Sequence, residues 1–360
     1  MSGSCNASGI KIWRVENGGR HGGVLHFQLQ GKGVMMSSVK ETFEKLFDNE
    51  LSEEEARTFL VDLYERGESA AEIAAAAEVM RNHSVKLPVG EELRERLVDV
   101  VGTGGDKSGS FNISTTVALL LASTGAAVAK HGNRSITSKS GSADVLDALG
   151  MRLDLSPEEQ VRMLEETGFA FIFAIHHHPA MKHIMPIRKS LDHRTIFNIL
   201  GPLTNPAGAR KYLLGVFSPE FLRPMAEALL ELNVKRAYVV SSEDGMDEIS
   251  LAAPTRFAYV EAGRVSEGVI EPEAHGFSRA PREAILGGDA LENAQIIRQI
   301  FSGEERGPKR EIVLLNAAYA LFVDGNVRDI QEGIEVAQEA LDSGKASEHL
   351  QRIIELSNRL

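Results

Sequence analysis

Residues 97–144 read LVDVVGTGGDKSGSFNISTTVALLLASTGAAVAKHGNRSITSKSGSAD, and no other stretch limits the fold as much. Two short apolar runs, 98–101 and 126–129, each end in a polar, glycine-bearing loop that opens a helix, and they lie about thirty residues apart, the length of a βαβ unit. Short buried strands with helical crossovers belong to a parallel sheet covered on both faces. Loops that follow such strands meet at one sheet edge, where open α/β sheets hold their ligands. The active site is expected at that edge.

The alternation continues downstream. Apolar runs at 169–175, 212–217 and 236–240 read as further strands, and 256–260 with 264–269 form a hairpin through Ala262-Gly263. Helical patterns fall between them at 115–123, 143–149, 157–167 and 219–232. The fold class is α/β, a mostly parallel central sheet flanked by helices, plus a smaller all-helical domain. That helical domain covers 36–97, where Val39, Phe43, Leu46 and Phe47 recur at helical spacing, Ser52 and Glu55 make a capping box, and 70–80 is rich in alanine. The interval 179–206 holds helical patterns at 181–189 and 194–200 but no strand, and is expected to pack back on the helical domain. The α/β domain is then 98–178 with 207–360, helical from Gly287 onward. Residues 1–35 are glycine-rich without a sustained period and read as a disordered leader.

Composition narrows the function classes. Apolar runs such as 169–175 fall far short of the roughly 18 residues a membrane span needs, so no membrane association is expected. A net charge of −12, from 39 Lys and Arg against 51 Asp and Glu, argues against a nucleic-acid partner. Cys5 is the only cysteine, which excludes an intramolecular disulfide, and the N-terminus lacks the apolar core of a signal peptide; a cytoplasmic location is expected. Between 102 and 144, however, Lys107, Lys130, Arg134 and Lys139 face only Asp106 and Asp144. This local cationic excess suits a small anionic ligand.

Gly102-Thr103-Gly104-Gly105-Asp106 follows a strand and precedes a helix beginning near Ser114. Such glycines make a tight turn or let the backbone approach an anion held by free amides at the helix N-terminus. The loop is neither a G-x-G-x-x-G fingerprint nor a P-loop. Asn112, Ser114 and Thr115 in the first helical turn either cap the helix or contact a phosphate. Lys130-His131-Gly132-Asn133-Arg134 packs two cations, an imidazole and an amide round a glycine, a donor set for phosphate or carboxylate. Residues 138–144, SKSGSAD, make a third candidate anion cradle that includes Ser142.

Asp247-Glu248 lies beyond the strand at 236–240. Adjacent carboxylates there are either solvated loop charge or ligands for Mg²⁺, which takes one or two carboxylates with substrate oxygens and water. His176-His177-His178 cannot all face one metal and no Cys or second His cluster completes a set, so no zinc site is expected there and one imidazole is expected to point into a pocket.

Taken together, DVVGTGGDKSGSFNISTT, AKHGNRSITSKSGSADVLDALG, HHPAMKHIMPIRKSLDHRTIFNILGPLTNP and EDGMDEIS closely resemble the anthranilate phosphoribosyltransferase family, glycosyltransferases (pentosyltransferases) of tryptophan biosynthesis, from about Met36 to the end. The resemblance implies that Gly102, Gly104, Gly105, Asp106, Asn112, Ser114, Thr115, Lys130 and Ser142 bind phosphoribosyl pyrophosphate (PRPP). It implies that Ser114, Asp247 and Glu248 serve two Mg²⁺ ions. Gly102, His131, Asn133, His178 and Arg188 would form the anthranilate pocket, with Arg188 facing the substrate carboxylate and Pro202 packing nearby. A homodimer through the helical domain is also implied. Two positions depart from the family pattern: Lys107 stands where the first loop commonly has another glycine, and Asp192 where Leu-Gly-x-Arg-Thr has one.

The implied reaction is attack of the anthranilate amine on C1 of the ribose, with inversion and loss of pyrophosphate. No acid or base residue is assigned, because an aromatic amine is already unprotonated at neutral pH. Two alternatives follow from the same architecture. Pyrimidine nucleoside phosphorylases share a Ser-Gly-Ser-Ala-Asp loop but carry a Lys-Met-Ser-Gly-Arg type stretch where this chain has Lys130-His131-Gly132-Asn133-Arg134. A catalytically silent nucleic-acid-binding relative is opposed by the intact GTGGD loop, the metal carboxylates and the net acidity.

Overall fold

The computed structural model describes residues 26–29, 32–35, 39–135 and 139–360. Within the leader, β1 (His26–Leu29) pairs antiparallel with β2 (Lys32–Met35). The remainder of the leader reading, and Ser138 of the third cradle, lie outside the described residues.

Three helices open the body of the chain: α1 (Val39–Phe47), α2 (Glu53–Arg66) and α3 (Ala70–Asn82). The capping box read at Ser52 is present, and Ser69 with Glu72 makes a second one at the head of α3. Each closes orphan amides at a helix start. Phe43, Leu46, Leu60, Leu63, Ile73 and Val79 are buried together, with Phe43 edge-on to Phe59 at 4.9 Å. The alanines of α3 keep its buried face small enough for close packing.

A short helix, α4 (Glu91–Arg96), leads into β3 (Leu97–Gly102), α5 (Ile113–Ser123), β4 (Ala127–Gly132), α6 (Ser142–Ala148), α7 (Pro157–Thr167) and β5 (Phe169–Phe173). Then come α8 (Ala174–His177), α9 (Met181–Lys189) and α10 (Phe197–Leu200), followed by β6 (Lys211–Gly215), α11 (Leu222–Glu231) and β7 (Arg236–Ser242). The hairpin β8 (Thr255–Glu261) and β9 (Arg264–Ile270) precedes α12 (Ala290–Ser302), α13 (Pro308–Asp324), α14 (Ile330–Asp342) and α15 (Lys345–Arg359). No helix among the described residues is long and apolar enough to cross a membrane.

The seven-stranded sheet has the order β5-β4-β3-β6-β7-β8-β9, parallel through β7 and antiparallel in β8 and β9. Winding runs from β3 out to β4 and β5, then reverses to β6 and β7, so the switch point lies between the carboxyl ends of β3 and β6. Helix α5 is buried at every residue except Ser114. The polar hydroxyl of that one residue sits at the switch point, not in the core.

Two strand limits differ from the sequence pattern. The run at 169–175 is strand only to Phe173, after which the chain coils into α8, because β4 offers no further partner beyond Gly132. In the other direction, β4 extends past 129 through Lys130, His131 and Gly132, paired with Phe171, Ile172 and Phe173. The segment after β5 lies against the N-terminal helices: Arg57 donates to Ser190 O at 3.0 Å, His183 Nε2 meets Leu46 O at 3.1 Å, and Tyr64 stacks on His193 at 4.0 Å.

Candidate active site

The loop after β3 and the loop after β7 meet at the switch point. Gly104 donates its amide to Asp247 Oδ2 at 2.7 Å, and Ser114 at the head of α5 donates its amide to Glu248 Oε1 at 3.2 Å. Two glycines make room for this contact. A Cβ at Gly102 would lie 2.4 Å from Asp247 Oδ2, and one at Gly215 would lie 1.6 Å from Asp247 O. Gly104 and Gly105 hold φ of 68° and 75°, so their backbone turns in the left-handed region.

Lys130 crosses beneath, fully buried, with Nζ donating to Val100 O at 2.7 Å and Ser114 Oγ at 3.3 Å. Burial draws its pKa down, while Asp99, Glu248 and Asp247 oppose that shift. Burial and repulsion from Asp106 push Asp247 up to about 7, and burial with repulsion from Asp247 raises Glu248 well above the carboxylate range. The site therefore gathers more negative charge than its lysine offsets.

Asn112 stands at the N-cap of α5 but makes no side-chain cap. Its amide donates instead to Ser140 O at 3.1 Å, and its Oδ1 accepts from Asn293 Nδ2 at 2.9 Å, which leaves the helix amides at this end uncapped by it. Thr115 is buried one residue beyond Ser114. Ser142 opens α6 and donates to Asn133 O at 3.2 Å; Asn133 itself is exposed.

The cationic excess read between 102 and 144 does not form one basic pocket. Arg134 is turned outward to Asp144 at 2.8 Å and Asp147 at 3.4 Å, Lys107 and Lys139 are exposed, and Lys130 is spent on a main-chain carbonyl. Nor is the second motif wholly a loop, since Lys130, His131 and Gly132 are strand residues with only Asn133 and Arg134 beyond them. Anion binding here rests on amides, and a cation is what the carboxylates lack.

The other half of the site is aromatic and neutral. His131 Nδ1 meets Gly201 O at 3.1 Å, a contact only a protonated nitrogen can make, so Nε2 of the neutral ring accepts. His178 Nε2 lies 3.2 Å from it and donates. Burial holds both rings neutral, His178 down to about 4 and His131 well below its usual range. Of the three histidines, His178 alone faces this pair: His177 is fixed to Val85 O at 2.6 Å and His176 is exposed against Phe173. Pro202 is buried beside Gly201 in a turn of 3₁₀ helix. Arg188 on α9 is half-buried, 5.4 Å from the Phe197 ring, with burial lowering its pKa and no acid partner among the described residues.

Sequence reasoning missed the support beneath these residues. Asp99, inside β3, accepts from His131 N at 3.3 Å and from Asn205 Nδ2 at 2.8 Å, and burial pushes it up to about 7. Asn205 also donates to Ala129 O at 2.7 Å. A lone aspartate within the apolar run LVDVV was the available signal.

The magnesium implied above fits the donor set. Asp106, Asp247, Glu248 and the Ser114 hydroxyl offer only oxygens, and the raised carboxylates are what a divalent cation would relieve. Their oxygens do not converge as a closed cage. The one trio among the described residues with ligand atoms within 4.8 Å of one another is Glu44, Asp48 and His83, where the imidazole spans the two carboxylates at 2.9 and 3.8 Å. At the opposite sheet edge a cavity of about 630 Å³ sets Arg96 and Lys345 beside Glu92 and Glu165, a balanced lining without a comparable constellation.

Comparison with known proteins agrees over nearly the whole length. A glycosyl transferase family α/β domain matches residues 94–347, and the helical bundle domain of a glycosyl transferase family matches 37–84. The anthranilate phosphoribosyltransferase of Rubrobacter xylanophilus is 46% identical, across 92% of this chain and 95% of that protein. The crystal structure of the enzyme of that name from Thermus thermophilus superposes with a TM-score of 0.83 at 46% identity, covering 89% of this chain and 94% of that one. Its Saccharomyces cerevisiae counterpart in complex with PRPP and Mg gives 0.80 at 27% identity, covering 89% and 93%.

Proposed function

The chain belongs to the anthranilate phosphoribosyltransferase family, and from that premise we propose that its switch-point site transfers the phosphoribosyl group of PRPP to the amine of anthranilate. The amine nitrogen bonds to C1 of the ribose from the face opposite the leaving group, the C1–oxygen bond breaks, pyrophosphate departs with the bonding pair, and the nitrogen then gives up one proton to solvent. The observation that carries this reading is the division of the site. One side offers adjacent carboxylates held by the Gly104 and Ser114 amides, with the Gly105 and Asp106 amides unpartnered among the described residues; the other offers neutral imidazoles and Arg188, a half-buried cation without an acid partner among the described residues.

In this reading the loop 102–106 and the head of α5, with Asn112, Ser114, Thr115 and Ser142, seat the donor's phosphates, and Lys130 supports them from beneath through the Ser114 hydroxyl. Ser114, Asp106, Asp247 and Glu248 would hold magnesium, two ions by the family resemblance, whose charge offsets that of the departing pyrophosphate. Arg188 pairs with the substrate carboxylate, a charge-assisted bond its surroundings leave available. His131, Asn133, His178 and Pro202 shape the acceptor pocket. The tautomer imposed by Gly201 leaves Nδ1 of His178 as an acceptor able to orient the amine. Neither imidazole titrates near neutral pH, so positioning and charge stabilisation, not a strong base, supply the rate.

The domain division goes with this function: a helical unit over 36–97 joined by 179–206, and an α/β unit over 98–178 and 207–360. We further propose a cytoplasmic homodimer joined through the helical unit, which sedimentation at several concentrations would check. The activity is tested by the loss of anthranilate fluorescence with PRPP and Mg²⁺ and by one pyrophosphate released per anthranilate consumed. Phosphorolysis of thymidine in place of that turnover would move the chain to the nucleoside phosphorylases.

A further inference from the structure

Arg194, between α9 and α10, reaches across to the glycine loop. Its Nη2 donates to Gly105 O at 2.8 Å, and its guanidinium carbon lies 3.6 Å from the centre of the Phe217 ring, just beyond β6. The Phe217 amide donates to Thr103 Oγ1 at 3.2 Å, and the Thr103 amide to Gly215 O at 2.9 Å. One side chain thus joins the segment packed on the N-terminal helices, the loop after β3 and the exit of β6.

Two features distinguish it from a structural brace. Among the described residues the guanidinium forms no ion pair, and its Nη1 is buried without a hydrogen-bond partner. A stacked cation left without a counter-charge is costly unless something outside the chain supplies one. Second, a trans peptide sets its oxygen and its N–H on opposite sides. Holding Gly105 O on the Arg194 side therefore aims the Asp106 N–H away from it, and that amide, like that of Gly105, donates to nothing among the described residues.

Resting on the reading of this loop as the donor's seat, we propose that Arg194 is a positioning residue for PRPP. It fixes the 105–106 peptide with its amide toward the pyrophosphate and adds positive potential behind it. Gly105 belongs to the same device: its φ is 75°, and a Cβ there would lie 3.3 Å from Nη2.

The test is calorimetric titration of PRPP with Mg²⁺, without anthranilate, into the parent, Arg194→Met and Arg194→Lys, alongside both Michaelis constants. Met keeps the apolar stem over Phe217 and removes the charge and the fork. The expected result is PRPP binding weakened about tenfold in Arg194→Met, the worth of one charge-assisted hydrogen bond, with a matching rise in KM for PRPP. KM for anthranilate should stay within about twofold, and Arg194→Lys should recover part of the loss. Unchanged PRPP affinity in Arg194→Met overturns the proposal, as do equal rises in both Michaelis constants. If Arg194→Met does not fold, Arg194→Lys decides: PRPP affinity equal to the parent's overturns it, and a loss of about threefold or more supports it. A parent that binds no PRPP refutes the donor seat itself, a separate result from a parent that binds it and a variant that binds it equally.

Discussion

Gly215→Ala places a methyl group where the structure has none to spare. The new Cβ would lie 1.6 Å from Asp247 O and 2.5 Å from its carbonyl carbon. Ordinary contact begins near 3.4 Å, so β6 and the 243–249 loop must part by about 2 Å. Asp247 moves with that carbonyl, and its Oδ2 is the acceptor that the Gly104 amide needs. The bond from Gly104 N to Asp247, 2.7 Å long, is therefore lost. Overpacking costs about 1–3 kcal/mol, and a hydrogen bond to a charged group about 1.5–3 kcal/mol more. A displacement of that size at the reacting groups costs on the order of a hundredfold in rate. The assay is anthranilate fluorescence at varied Mg²⁺, with a thermal melt on the same preparation. The expectation is a Tm lowered by several degrees, kcat/KM down about a hundredfold and a higher Mg²⁺ requirement. Gly263→Ala is the control: its φ is 73°, but nothing lies within 4 Å, so it strains the hairpin without touching turnover. A Gly215→Ala enzyme within about threefold of the parent and with unchanged Mg²⁺ dependence would refute the reasoning.

Two further predictions concern stability. His178 is neutral in the fold down to about 4, whereas an unfolded histidine charges near 6.5, so the unfolded chain takes up its proton first and stability falls as pH drops through that window. The loss reaches about 2 kcal/mol by pH 5, and His178→Gln should flatten urea midpoints measured from pH 7 to pH 5; identical slopes in both proteins would contradict this. Lys107 holds a φ of 56°, a conformation costing about 1 kcal/mol in a residue with a Cβ. Lys107→Gly should thus be neutral or stabilising despite the entropy of an added glycine, and destabilisation beyond about 1 kcal/mol in chemical unfolding would argue against strain there.

The parts of the fold that were legible are those whose signals are local. Helix α7 occupies 157–167 as read, because Ser156, Pro157, Glu159 and Gly168 mark its ends by capping chemistry. The β8–β9 hairpin was visible in its alternation about Ala262-Gly263. What escaped was set by partners distant in sequence. Lys130 and His131 look like loop residues, yet they lie in β4 because Val100 O, Ser114, Gly201 O and Asp99 satisfy them from elsewhere. Arg134 looked like a ligand cation until Asp144 and Asp147 came round to pair with it. Asp247 and Glu248 could be proposed as ligands from their position, but the glycines that admit them, Gly102 and Gly215, were separable from ordinary turn glycines only in three dimensions.

The central claim is that the switch point holds two seats, one for each substrate, and Michaelis constants in a crossed pair of variants test it most directly. Arg188→Ala should raise KM for anthranilate about tenfold or more and leave that for PRPP within about twofold, while Asp247→Asn should raise the PRPP and Mg²⁺ requirements and spare anthranilate. Equal effects of either substitution on both substrates, or an Arg188→Ala enzyme with the parent's anthranilate KM, would contradict the two-seat account.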